Sequence, residues 1–248
     1  MSHDIDPGLV DRIISNLNDI QSRIKRAADK SGRAAADVRL VGVTKLHPLE
    51  TIQAGIQAGV RLFGENYPEQ AVDKVQALQD VPNIQWHMIG HIQSRKAETV
   101  CRYFDMVHSL DRMKIARYLN RYCGKLDRKM PILLEVNLSG EESKYGWSAS
   151  DDSKWSELVQ PFRQIVQMPN LEIRGLMSMP PLFDDPEATR PFYQRLRRLQ
   201  AFLREAVSNA SWDELSIGTS FDYEVAIEEG ATMVRIGTEL FGPRPGTD

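Results

Sequence analysis

What most constrains the fold is an alternation. Eight short apolar runs, rich in β-branched residues, take turns with longer helical stretches along almost the whole chain. The runs fall at residues 39–45, 60–63, 84–90, 106–108, 132–137, 171–177, 214–218 and 233–237, with helices predicted over 48–58, 67–79, 94–103, 112–126, 151–167, 187–209 and 223–229. Strands alternating with helices imply a parallel sheet, and eight repeats close a (β/α)8 barrel. Pro161, lacking an amide proton, is expected to break or kink its helix.

One further helix stands ahead of the first strand. Leu9, Val10, Ile13, Ile14, Leu17, Ile20 and Ile24 recur at three- and four-residue spacing. Asp6-Pro7 supplies a start signal and Gly32 follows the end. After the eighth run only a short, Pro-rich tail from Phe241 remains, unsuited to a helix. The seam between last and first strands would then lie bare unless the amino-terminal helix covers it. The expectation is a single (β/α)8 TIM-type barrel with an extra N-terminal helix, one domain over residues 1–248; an open doubly wound sheet is the alternative.

Composition narrows the function classes. A formal charge of −3 gives no basic footprint for nucleic acid. No apolar run reaches membrane-spanning length, and the polar amino terminus lacks the apolar core of a signal peptide. Cys101 and Cys123 stand far apart without CxxC spacing, and so read as unpaired free thiols of a cytoplasmic protein, with no neighbouring sequence feature to depress a thiol pKa. His87, His91 and His108 lack metal-ligand spacing, so no metal is expected and they read as structural or pocket-lining. No unpartnered apolar helix face is evident, which suggests a monomer or weak dimer.

In a parallel barrel the active face is built from the loops after the strands. The first run ends in Thr44-Lys45-Leu46-His47-Pro48, and Pro48 biases His47 away from helical geometry. That leaves the Lys45 amine at a strand's carboxyl end, where a lysine can form a Schiff base with an aldehyde. Taken alone, such a lysine is an ordinary surface residue. The seventh and eighth strands, however, each end in a glycine beside hydroxyl residues: Gly218-Thr219-Ser220 and Gly237-Thr238. Strands seven and eight carry the usual phosphate site of this architecture. Phosphate plus lysine suggests pyridoxal 5′-phosphate as cofactor. Arg235, two residues before Gly237, would then donate to the pyridine nitrogen and keep it unprotonated, a poor electron sink for carbanion chemistry.

These segments resemble the pyridoxal-phosphate homeostasis protein family, the proline synthetase co-transcribed homologues. The matching stretches are Leu40-Val41-Gly42-Val43-Thr44-Lys45, Phe63-Gly64-Glu65-Asn66-Tyr67, Trp86-His87-Met88-Ile89-Gly90-His91-Ile92-Gln93-Ser94, Glu135-Val136-Asn137 with Ser143-Lys144-Tyr145-Gly146, Arg174-Gly175-Leu176-Met177-Ser178-Met179 and Met233-Val234-Arg235-Ile236-Gly237-Thr238-Glu239-Leu240-Phe241-Gly242. They run in family order over nearly the whole chain. The resemblance implies a barrel of the alanine racemase N-terminal type. It implies that Lys45 carries the cofactor as an aldimine, that Ser220, Gly237 and Thr238 hold its phosphate, that Arg235 faces the ring nitrogen, and that Asn66 and Met177 line the pocket. Two departures stand out: Thr219 where the family commonly has methionine, and Arg95 where asparagine is frequent.

By the same resemblance the protein is a carrier serving intracellular vitamin B6 homeostasis without substrate turnover, with no catalytic residue assigned. The partners this implies are pyridoxal phosphate and PLP-dependent apo-enzymes that could receive it. The alternative is a PLP-dependent amino-acid racemase or decarboxylase, which needs a second acid/base group opposite the lysine.

Overall fold

A computed structural model describes residues 6–244. Its strands are β1 (Arg39–Val43), β2 (Leu62–Glu65), β3 (Gln85–Met88), β4 (Met106–Leu110), β5 (Met130–Asn137), β6 (Trp147–Ser148), β7 (Leu171–Met177), β8 (Glu214–Thr219) and β9 (Met233–Ile236). Eight of them run parallel in the order β4-β3-β2-β1-β9-β8-β7-β5, and a direct β4–β5 pairing joins the two ends. That pairing makes a closed barrel and excludes the open sheet. The two-residue β6 only extends the end of β5, pairing Trp147 with Val136.

Around the barrel lie α1 (Pro7–Lys30), α2 (Leu49–Gln57), α3 (Pro68–Ala77), α4 (Ala97–Tyr103), α5 (Met113–Lys125), α6 (Ser156–Val166), α7 (Arg190–Ala206), α8 (Tyr223–Glu228) and the one-turn α9 (Thr238–Phe241). Side chains alternate between the two faces of each strand. One set, including Phe63, Trp86, Val107 and Ile132, packs outward against the helices. The other set fills the barrel, where Val41, Leu62, Met106, Leu133, Met177 and Met233 form an apolar plug. No helix among the described residues is long and apolar enough to cross a membrane.

Asp6 caps α1 by accepting from the Gly8 amide at 2.9 Å. The stripe of Ile13, Leu17, Ile20, Ile24, Ala27 and Ala28 is buried against α2, α8 and α9, so α1 covers the β9–β1 seam. Polar contacts stitch it there: Arg23 donates to Glu224 at 2.6 and 2.9 Å and to Glu239 at 2.5 Å. Ile14 departs from the expected stripe and is exposed.

Three expectations need correction. The helix containing Pro161 continues through it, because Leu158, Phe162 and Ile165 on its inner face are all buried; packing there outweighs one lost backbone bond. The segment 187–209 begins as a 3-10 turn, Pro186–Thr189, and its helix ends at Ala206. The chain after β9 winds one helical turn, α9, burying Leu240 and Phe241 under α1. Cys101 and Cys123 are free thiols, as expected, with their sulfurs 3.0 Å from each other.

Candidate ligand site at the carboxyl end of the barrel

β1 stops at Val43, and a turn through Lys45 and Leu46 leads to Pro48, which caps α2. Leu46 takes a left-handed φ of 64°, uncommon for a branched residue and a sign that the surroundings fix this turn. They do so through a buried triad outside the barrel wall. The Lys74 ammonium donates to Glu65 Oε1 at 2.7 Å and to the Thr44 carbonyl at 3.0 Å, and the Thr44 hydroxyl donates to the same carboxylate at 2.8 Å. The residue before Lys45 is thereby held by both its carbonyl and its side chain.

Val41, Val43 and Lys45 alternate onto the inner face, and Lys45 lines a cavity of about 790 Å³ at the strands' carboxyl ends. Every sequence-expected residue meets there: Lys45, Asn66, Met177, Ser220, Arg235, Gly237 and Thr238. Burial pushes the Lys45 amine below the ordinary lysine range; the Arg244 and Arg235 charges push it further, and Glu65 opposes them. A depressed ammonium pKa leaves more free amine at neutral pH, the form that attacks a carbonyl.

Arg235, which lines the same cavity, is buried. Its Nη1 donates to the carbonyl and the hydroxyl of Ser216, 2.6 Å each, and its Nη2 contacts the Ser178 carbonyl at 3.1 Å and Met179 Sδ at 2.8 Å. Those contacts occupy the four Nη hydrogens, so among the described residues Nε–H is the donor left for a ligand. All its acceptors are neutral, and its positive charge is not spent on an ion pair with them. Behind Ser216 the barrel interior is polar: His108 Nδ1 lies 2.9 Å from Ser216 Oγ, and His108 Nε2 lies 2.8 Å from His87 Nδ1. Burial pushes His87 down to about 3 and His108 well below its usual value, so both are neutral.

The loops after β8 and β9 supply hydroxyls. Gly218 has φ +86°, and a Cβ on it would lie 2.6 Å from the Ala226 methyl, so only glycine fits. Asp222 then shapes the turn, accepting from the Thr219 amide at 2.8 Å and its hydroxyl at 3.0 Å, while the Tyr193 hydroxyl donates to its other oxygen. Ser220 lies within this turn, and Asp222 immediately precedes α8 with its carboxylate folded back onto Thr219. Thr219 therefore faces the cavity with its hydroxyl already engaged.

On the opposite side, Gly90 lets β3's end approach Asn66: a Cβ there would sit 2.5 Å from the Asn66 carbonyl oxygen. The Asn66 side-chain oxygen is buried without a hydrogen-bond partner. Such an orphan acceptor on a cavity wall fits a ligand that brings its own donor. An amine, an unspent guanidinium donor, hydroxyl-bearing loops and an unpaired amide are a donor set suited to an aldehyde-bearing phosphate.

Sequence reasoning missed further lining residues, Glu135 and Arg244 among them, whereas His91 was read as structural or pocket-lining and does line the cavity. Glu135 follows Leu133 onto the inner face, and burial, with Asp111 adding to it and Arg235 and Arg112 opposing, pushes its carboxyl up to about 7. A lone acid two residues after an apolar inward position was the available signal. His91, held 2.9 Å from Asp111, stacks on Tyr145 with ring centroids 3.7 Å apart. Arg244, in the tail, also lines the cavity, and nothing in the sequence marked it. Among the described residues no His/Cys/Asp/Glu cluster could hold a metal ion.

Comparison with known proteins gives the lineage. Residues 15–245 match the family described as alanine racemase, N-terminal domain. The chain is 41% identical over 232 residues to the pyridoxal phosphate homeostasis protein of Pseudomonas aeruginosa, covering 94% of this chain and 96% of that one. It is 40% identical over 235 residues to the protein of the same name from Vibrio alginolyticus, covering 94% and 97%. Among solved structures, PipY of Synechococcus elongatus with PLP bound superposes with a TM-score of 0.81 at 34% identity, covering 93% of this chain and 100% of that one. A Clostridium difficile alanine racemase shares the fold, with a TM-score of 0.69 at 16% identity, and this chain covers only 57% of it. Barrel topology, motif order and these identities agree, and the chain belongs to the pyridoxal phosphate homeostasis protein family.

Proposed function

We propose that this protein binds pyridoxal 5′-phosphate, linked covalently through the Lys45 amine, and holds it for PLP-dependent apo-enzymes without turning over a substrate. The observation that carries the reading is Lys45 itself: a half-buried amine with a depressed pKa, opening into the same cavity as Ser220, Thr238 and Arg235. When bound, the cofactor would supply an aldehyde and an electron-accepting ring. Lys45 would bond to the aldehyde carbon, and Ser220, Thr238 and the Gly237 backbone would hold the phosphate. Arg235 Nε–H would donate to the ring nitrogen, with Asn66 and Met177 against the ring's remaining edge and face. A cationic donor at that nitrogen disfavours its protonation, which supports holding over catalysis.

Glu135 favours the second reading, an amino-acid racemase or decarboxylase, because a carboxyl near 7 can exchange protons at neutral pH. One experiment separates the two. Protein loaded with pyridoxal phosphate is reduced with borohydride, digested and mapped by mass, then a parallel unreduced sample is incubated with L- and D-amino acids. A carrier gives a cofactor adduct on Lys45, none in Lys45→Ala, and neither inversion nor carbon dioxide above that control. An adduct elsewhere, or none, defeats the binding reading; steady turnover defeats the carrier reading.

A further inference from the structure

Cys101 on α4 and Cys123 on α5 are 22 residues apart in sequence, and both are fully buried with their sulfurs 3.0 Å from one another. Their surroundings hold them there. The Cys101 thiol contacts the Leu119 carbonyl at 3.4 Å. Arg128, just past α5, donates to the Cys101 carbonyl at 2.6 Å and the Phe104 carbonyl at 2.9 Å, tying the two helices together beside the sulfurs. A disulfide is about 2.05 Å long, so closing one asks the sulfurs to approach by about 1 Å. We propose that Cys101 and Cys123 form a redox modification site, a dithiol that a peroxide converts into an intramolecular disulfide linking α4 to α5.

The chemistry balances. The contact with Cys101, aided by the Arg128 charge, holds the Cys123 thiol down against burial, whereas the same contact and burial raise Cys101. We take Cys123 as the first nucleophile; the balance is the same with the two sulfurs exchanged. Its thiolate attacks one peroxide oxygen, the O–O bond breaks, and the other oxygen leaves as water after taking a proton. The Cys101 sulfur then displaces the hydroxyl from the Cys123 sulfenic acid, and that hydroxyl departs with the Cys101 proton as a second water. The two sulfurs together lose two electrons, which the peroxide gains.

The bond would reach the cavity through the helix starts. Arg95 and Lys96, both lining the cavity, directly precede α4. Arg112 directly precedes α5, pairs with Asp111 and donates to the Ile92 carbonyl at 2.8 Å. Oxidation would thus fix the β3–β4 side of the mouth.

The test uses the full chain. Protein treated with hydrogen peroxide is unfolded, alkylated, digested without reductant and read by mass spectrometry. The expected result is a Cys101–Cys123 linked peptide pair, two hydrogens lighter than its separate parts and released by reductant. Recovery of both thiols alkylated singly, or of each carried to sulfinic acid with no linked pair, would overturn the proposal. Both side chains sit in the core, so the wild-type digest decides the matter and Cys101→Ala and Cys123→Ala serve only as mass controls.

Discussion

Arg235 donates twice to Ser216, once to its carbonyl and once to its hydroxyl, and that second bond orders the whole barrel interior. A guanidinium only donates, so the Ser216 oxygen accepts from it, and we expect the hydroxyl hydrogen to point at His108 Nδ1. His108 Nε2 then carries the proton and donates to His87 Nδ1, which leaves His87 protonated on Nε2. Each tautomer is thereby tied to the direction of the Ser216–His108 bond. Ser216→Ala removes an acceptor from Arg235 and a donor from His108. A loss of about 1–3 kcal/mol is expected, read as a lower urea midpoint, with imidazole ¹⁵N shifts reporting that His108 is no longer held as one tautomer. An unchanged midpoint and unchanged shifts would mean the chain is not formed.

The buried histidines set an acid limit on stability. Burial lowers His87, His91 and His108, the first to about 3. The unfolded chain therefore takes up protons first as pH falls below about 6.5, and stability present above that value drains away toward the folded-state values. Urea midpoints should fall from pH 7 to pH 5, and the slope should be shallower in His87→Gln. Parallel slopes in the two proteins would count against a buried neutral His87.

Glu135 works in the opposite direction. Its carboxyl rises from 4.5 to about 7 on folding, so folding favours the protonated form, and ionisation costs stability as pH rises from 4.5 through 7. Glu135→Gln should match the wild type near pH 4 and exceed it at pH 8 by up to about 3 kcal/mol. Denaturant melts at the two pH values check this; equal stability at pH 8 would show a carboxylate better solvated than its position implies.

Lys74 is the sole cation within bonding distance of Glu65 among the described residues, and Glu65 is fully buried with its second oxygen unpaired. Lys74→Met should cost about 3–5 kcal/mol by leaving that charge uncompensated. The double variant Lys74→Met, Glu65→Gln should recover a large part of the loss. Because Lys74 also holds the Thr44 carbonyl, the single variant should slow borohydride trapping at Lys45. A normal trapping rate in a folded Lys74→Met protein would separate the triad from the lysine.

Much of the barrel was legible because its signals are local. Apolar runs broken by glycine and proline marked the strands, and the stripe from Ile13 to Ile24 announced a helix with one face to bury. Lys45, Ser220, Arg235 and Thr238 were readable because strand-end position in a parallel barrel already assigns a side chain to one rim. Pro161 was misread since propensity is local, while the packing of Leu158, Phe162 and Ile165 that overrides it is not.

The sequence by itself determined which elements form, their order, and which strand ends could carry an amine and an anion site. Only the tertiary structure decided who meets whom across the barrel: Arg235 with Ser216, Lys74 with Glu65, Asn66 with the glycine that admits its backbone, and two cysteines on separate helices with their sulfurs in contact. Such partners come from different strands and helices, so no periodicity or spacing along one segment encodes them. The burial that shifts Lys45 and Glu135 in opposite directions depends in turn on closure of the whole ring of strands.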